Sequence, residues 1–375
     1  MRIFSLIGSQ VVETAHLDQL SLPIHNAGRS GFVWLACARP EFEAMQANIQ
    51  AGLQRLCGVQ LVDLHISDLL NNSLPSRYDH TSEYDLLVFR RLATAQPTAP
   101  VVEASREKSP NGKRAGPPIL NRIDTSPVGF AVFDQVLLTV HPADCSVRDS
   151  FAARLLAGSG KDLRVSGARS PSSPADLMLR ILNQMVDGFL DLRRELTHQL
   201  DHWQSELIRP ETRFNNWRAL LDARLALHKL DEIGEDQRAC VQDWIESVKT
   251  WPDATTPAEQ RERDLLEVRS RDVLEHIERV VHHVRRLEQS TETAVQMHFS
   301  VQGSRTNDIM RVLTVLTAIF LPLNLITGFF GMNFDALPLI HRQTGLWWAI
   351  SLMTLVGVAL AALFWRKRYL AQSGR

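Results

Sequence analysis

Over the first 140 residues the apolar positions come in short runs bounded by polar turn-formers. Residues 32–36 and 86–92 are runs of strand length, and 128–133 and 136–140 flank Asp134-Gln135, which predicts a hairpin. Residues 41–56 have helical spacing instead. Mixed strand and helix signals predict an α/β domain over 1–172. Residues 94–127 are different: rich in Pro, Ser, Ala, Lys and Arg, they hold almost no large apolar side chain, so they are expected to be a disordered insertion.

From residue 174 Gly and Pro become scarce and helix formers dominate, with breaks near Pro210 and at 251–257. Three long helices are predicted over 173–308. In the third, Val273, Ile277, Val280, Val284 and Leu287 recur at steps of four and three, one seam of a helix packed against others. Its polar continuation runs straight into apolar sequence. Unbroken from 259 to 330, this helix would measure roughly 100 Å at ~1.5 Å per residue, a rod suited to an oligomeric stalk that enters a membrane.

Residues 309–330 and 346–365 are each long and apolar enough to cross a bilayer. Arg305 and Arg311 precede the first segment, Arg366, Lys367 and Arg368 follow the second, and the connection 331–345 has Arg342 as its one fixed cation. By the positive-inside rule both termini, including the basic tail 366–375, are cytoplasmic and the connection lies outside. Trp347, Trp348, Trp365 and Tyr369 fit interfacial belts. Within the first segment and its approach, Asn307, Met310, Leu313, Thr317, Leu321 and Asn324 share one helical face, and polar groups on such a helix must face protein or water.

Composition narrows the classes. At 45% hydrophobic and 22% charged residues the 375-residue chain has room for a core and two or three domains, so the uneven distribution of apolar residues carries more information than their total. A net charge of −1 supplies no basic field for nucleic acid. Cys37, Cys57, Cys145 and Cys240 are isolated from one another, which fits core residues in a reducing compartment rather than a zinc or disulfide framework. The N-terminal apolar stretch is too short for a signal peptide, so the soluble part is expected in the cytoplasm. Gly158-Ser-Gly-Lys161 is followed by Asp162 and lacks the upstream glycine and the hydroxyl of a P-loop, so no nucleotide is expected. No nucleophile–base arrangement points to an enzyme.

Residues 306–334 carry Thr-Asn-x-x-Met at one end, Phe-Leu-Pro in the middle and Gly331-Met332-Asn333 at the other, followed by a short loop and one last helix. This stretch resembles the first membrane helix and signature loop of the CorA family of magnesium transporters. Arg271-Asp272-Val273 with His276 resembles the start of that family's pore helix, and 64–84 more weakly resembles a segment near its inter-subunit face. The resemblance implies a funnel-shaped homopentamer of α+β class in a bacterial inner membrane. Its pore is lined by the first membrane helix, 309–330, and Gly331, Met332 and Asn333 form the filter. It also implies that Asp272 and an acid of the neighbouring subunit, here Asp68, hold a regulatory Mg2+.

A ring of carboxamide oxygens suits an ion that keeps its waters, and Met310, Leu313 and Leu321 suit apolar gating rings. Passive uptake of Mg2+, with Co2+ and Ni2+ as competitors, is the expected function. The sequence departs from the family where a Pro-Glu pair often follows the signature: Pro338-Leu339 stands there, leaving Asp335 as the loop acid beside His341 and Arg342. That departure keeps open a ZntB-like, proton-coupled zinc transporter. A membrane-anchored ion sensor that conducts nothing is the third reading.

Overall fold

The computed structural model describes residues 1–8, 10–14, 31–92, 125–157, 170–208, 217–252, 254–332 and 343–366. The chain folds into two compact units, one of Met1–Glu206 with Arg213–Glu292, the other of Leu207–Thr212 with Thr293–Arg375.

The first unit is built on a seven-stranded sheet with the order β2-β1-β3-β7-β6-β5-β4. The strands are β1 (Arg2–Ile7), β2 (Gln10–Thr14), β3 (Gly31–Ala38), β4 (Arg77–His80), β5 (Asp85–Leu92), β6 (Thr125–Val132) and β7 (Val136–His141). All pairings are antiparallel except β3 with β7, where Val33 lies opposite Val136. The expected hairpin is present, with Val132 opposite Leu137. Every residue of β3 is buried, because alternate side chains enter different layers. Val33, Leu35 and Cys37 pack with Phe42, Ile49, Leu53, Ile66 and Leu69. Those five come from α1 (Arg39–Ala44), α2 (Gln46–Cys57) and α3 (Asp63–Leu70). Gly129 on β6 leaves room for α3: a Cβ there would collide with the Leu69 side chain.

The other face of the sheet, through Phe4, Phe32, Trp34, Phe89 and Phe130, packs on helices from later in the chain. These are α4 (Ser146–Ala157), α5 (Pro174–Ile208), α6 (Trp217–Thr250) and α7 (Pro257–Phe330). Trp34 donates to Thr139 Oγ1 at 3.1 Å and Trp244 to Ser270 Oγ at 3.0 Å, so both large indoles are buried with their one polar group satisfied. The seam of α7 is buried as expected, but its partners belong to the same chain. Val280, Val284 and Leu287 pack with Phe189, Leu196 and Leu200 of α5 and Leu227, Leu230 and Ile233 of α6. The seam is therefore core of a three-helix arrangement within the subunit, and it carries no information about oligomeric state.

Two boundaries differ from expectation. The stretch 41–56 is two helices meeting at Met45 rather than one. Residues 125–127, assigned to the insertion, are strand: Arg90 pairs with Pro127 and Leu92 with Thr125. Residues 93–124, and the Gly158–Lys161 stretch, lie outside the described residues.

The second unit contains the C-terminal part of α7 and helix α8 (Gln343–Arg366). Both are long and apolar enough to cross a membrane, and only 6% of each apolar window is buried. A core helix of a soluble domain would be mostly covered, so these two helices have a different solvent or partner.

Candidate functional site

Helix α7 runs without a break from Pro257 to Phe330 through Pro322, and the face picked out by spacing is real. At about 100° per residue Asn307, Met310, Leu313, Thr317, Leu321 and Asn324 fall within an arc of about 120°. All six are exposed. Leu321 is 69% exposed, Met310 56% and Leu313 54%. The opposite side carries the residues that the subunit itself shields, with Val315 buried and Arg311, Ala318, Pro322 and Ile326 half-buried. Exposure is not confined to that face, since Ile309, Leu316 and Phe320 are exposed as well; what sets the face apart is its two carboxamides and its hydroxyl.

Thr317 donates its hydroxyl proton to Leu313 O at 2.8 Å, as Thr314 does to Met310 O at 2.7 Å. The donor is consumed inside the helix, so what Thr317 presents outward is an oxygen with free acceptor capacity. That group accepts hydrogen bonds from water, including the water shell of a cation. At the cytoplasm-expected end, Asp308 and Arg311 pair at 3.6 Å on the shielded side.

The helix ends at Gly331, whose N–H donates to Thr327 O at 2.9 Å, followed by Met332 N–H to Phe329 O at 3.4 Å. Glycine is not needed here for a left-handed turn, since among the described residues only Gly8 and Gly58 have positive φ. Space at this position is tight: a Cβ at 331 would lie 3.0 Å from Thr327 O, the oxygen already accepting the Gly331 amide, so a side chain fits only if the last turn gives by a few tenths of an ångström. Met332 is 45% exposed. Asn333, with Asp335 and His341, lies outside the described residues.

The two acids expected to share a regulatory ion sit in unlike surroundings. Asp272 has a side chain 56% exposed, 3.8 Å from His276 Nε2, while His276 Nδ1 donates to Asn183 Oδ1 at 3.1 Å. Asp68 is buried on α3, and its Oδ2 lies 3.6 Å from Arg77 Nη1. Asp68 is thus buried beside a cation, whereas Asp272 is exposed beside a histidine. Among the described residues no three His, Cys, Asp or Glu side chains converge on one spot as a metal site.

Sequence reading missed the groups around Asp68. Arg77 and Asp79 lie on β4, a short edge strand of sequence Arg-Tyr-Asp-His with no apolar run to announce it. Arg77 Nη2 donates to Asp79 Oδ2 at 2.9 Å. The Asp79 carboxyl is held below its ordinary pKa: burial pushes it up, but the His80 amide, His65 and Arg77 together outweigh that. The one available signal was charged residues alternating with an aromatic.

Comparison with known proteins follows the same outline. A model for CorA-like Mg2+ transporter proteins matches residues 30–368. The chain is 24% identical over 200 residues to the cobalt/magnesium transport protein CorA of Thermotoga maritima, covering 52% of each chain, about half of that relative's length. It is 22% identical over 354 residues to the cobalt/magnesium transport protein CorA of Methanocaldococcus jannaschii, covering 94% of this chain and 95% of the relative. The complete structure of the CorA magnesium transporter from M. jannaschii superposes with a TM-score of 0.65 at 18% identity, covering 100% of this chain and 98% of that one.

Proposed function

The chain belongs to the family of CorA-like Mg2+ transporter proteins, and from that premise we propose that it is a channel for hydrated divalent cations, with Mg2+ as its main substrate. Copies of α7, in a homopentamer, surround a common axis with the face from Asn307 to Asn324 inward. Gly331, Met332 and Asn333 form the outer entrance, and α8 stands outside in the lipid. The polar stripe along this otherwise apolar helix is the observation that carries this reading. A single chain leaves it open although the rest of the helix is apolar enough for lipid, and two membrane helices cannot enclose a pore without further copies.

The chemistry follows from the groups on that face. Mg2+ dehydrates reluctantly, so a path that holds its waters serves it better than one that strips them. Carboxamides at Asn333, Asn324 and Asn307 and the acceptor oxygen of Thr317 supply such contacts without a fixed charge that would slow release. Met310, Leu313 and Leu321 form apolar rings that close by dewetting when the helices approach. Neither histidine nor cysteine stands on this face, so softer ligands for zinc are missing from it. Co2+ and Ni2+, which travel as similar hydrated ions, compete. An inside-negative potential supplies about 4.6 kcal/mol per 100 mV for a doubly charged ion, enough to drive uptake.

In this reading the large N-terminal unit and the C-terminus face the cytoplasm of a bacterial cell, a placement that Arg305, Arg311 and Arg366 support by the positive-inside rule. The domains are then the α/β domain 1–172, the stalk 173–308, two membrane helices 309–330 and 346–365 joined by the outer loop 331–345, and a basic tail. Asn333→Ala in reconstituted vesicles tests the filter. Mg2+ influx is expected to fall to background with the protein still assembled, and wild-type influx through this variant would remove the assignment.

A further inference from the structure

Arg77 stands between two carboxylates. It donates to Asp79 Oδ2 at 2.9 Å and lies 3.6 Å from Asp68 Oδ2, an oxygen that is buried and accepts no hydrogen bond. Asp79 Oδ2 is also 3.5 Å from His65 Nε2, and His65 Nδ1 is 2.7 Å from the Tyr84 hydroxyl, which accepts the Val62 N–H at 3.0 Å. One proton order satisfies every group: Tyr84 O–H donates to Nδ1, and Nε2–H donates to Asp79. Asp68 and Asp79 offer the carboxylate oxygens that a hard divalent cation takes, and the Arg77 guanidinium is the cation that stands against both.

We propose that Arg77 is the built-in cation of this site, occupying the place that a regulatory divalent ion would take at Asp68 and closing that carboxylate to Mg2+ in the native chain. A Mg2+ ion approaches its oxygen ligands to about 2.0–2.1 Å and brings waters with it. A guanidinium 3.6 Å from the same oxygen stands inside that shell and repels the ion. Arginine does not lose its proton in proteins, so no change of pH empties the place. The Arg77 side chain is 38% exposed, so removing its charge opens the carboxylates to solvent and to ions. The regulatory meaning rests on the channel reading; the binding claim does not.

Mn2+ binding to the purified full-length protein, followed by electron paramagnetic resonance, tests it without any ion flux. Wild type and Asp68→Asn are expected to bind the same number of Mn2+ ions per chain with equal affinity. Arg77→Gln is expected to gain one site at least tenfold tighter than any in wild type, Arg77→Lys to gain none, and Arg77→Gln with Asp68→Asn to lose the new site. A wild-type Mn2+ site that Asp68→Asn removes would overturn the proposal, and so would a folded Arg77→Gln protein with no added site. If Arg77→Gln does not fold, the comparison of wild type with Asp68→Asn still decides.

Discussion

Replacing Gly331 with alanine perturbs one contact whose size can be worked out. The new methyl carbon would lie 3.0 Å from Thr327 O, inside the 3.3–3.6 Å usual even for attractive C–H···O contacts. The same oxygen accepts the Gly331 amide at 2.9 Å, so relief requires the last turn to open by a few tenths of an ångström and weakens that bond. Losing one backbone hydrogen bond costs about 0.5–1.5 kcal/mol net. If the filter conducts only with every chain of a pentamer in place, the cost repeats in each, about 2.5–7.5 kcal/mol, a drop in flux of roughly sixtyfold or more at about 1.4 kcal/mol per decade. Gly357→Ala is the control: nothing lies within 4 Å of a Cβ there, and alanine is the better helix former by about 1 kcal/mol. Mg2+ influx into dye-loaded vesicles is expected to collapse in the first variant and persist in the second. Wild-type influx with Gly331→Ala would refute the link between this crowded helix end and conduction.

His141 gives a pH dependence with a definite sign. Burial pushes its pKa down to about 4; Nδ1 donates to Pro142 O at 3.1 Å, and Nε2 is buried without a hydrogen-bond partner. Because the folded value lies below the unfolded one of about 6.5, its contribution is complete above pH 6.5 and is lost as pH falls toward 4, on the order of 3 kcal/mol in all. His141→Gln should flatten the fall in melting temperature between pH 7 and pH 5, and an unchanged fall would contradict this. Native mass spectrometry of the detergent-solubilised protein should show five chains; a dominant monomer or dimer would count against a pore made from copies of α7.

Strand β3 is legible in the sequence because both its faces are buried and it reads as one apolar run, and the hairpin because two such runs flank a polar pair. The edge strands are not. Four of the five residues of β2 and all four of β4 are exposed or half-buried, so neither shows an apolar stripe. The break at Met45 has no Gly or Pro to mark it: one residue outside helical geometry, at φ −112° and ψ 16°, ends α1 and begins α2. On α7 spacing identifies both the buried seam and the open face, since 3.6-residue periodicity fixes which residues share a side. It does not say that the seam's partners are α5 and α6 of the same chain. Nothing in the sequence around Asp68 marks it as paired, because its cation, Arg77, lies nine positions on and is brought back by β4. Gly331 stands out in the sequence, but as a turn residue, and it makes no left-handed turn; the crowding by Thr327 O appears only with the helix built.

The central claim is Mg2+ conduction driven by voltage, and the direct measurement is influx into vesicles holding the purified protein and dyes for Mg2+ and Zn2+. Potential and pH gradient are set independently. Mg2+ influx should appear with the protein, rise as the interior is made more negative, be slowed by Co2+ or Ni2+, and be indifferent to a pH gradient. Zn2+ influx that rises with an inward proton gradient, with no Mg2+ influx at any potential, would contradict it.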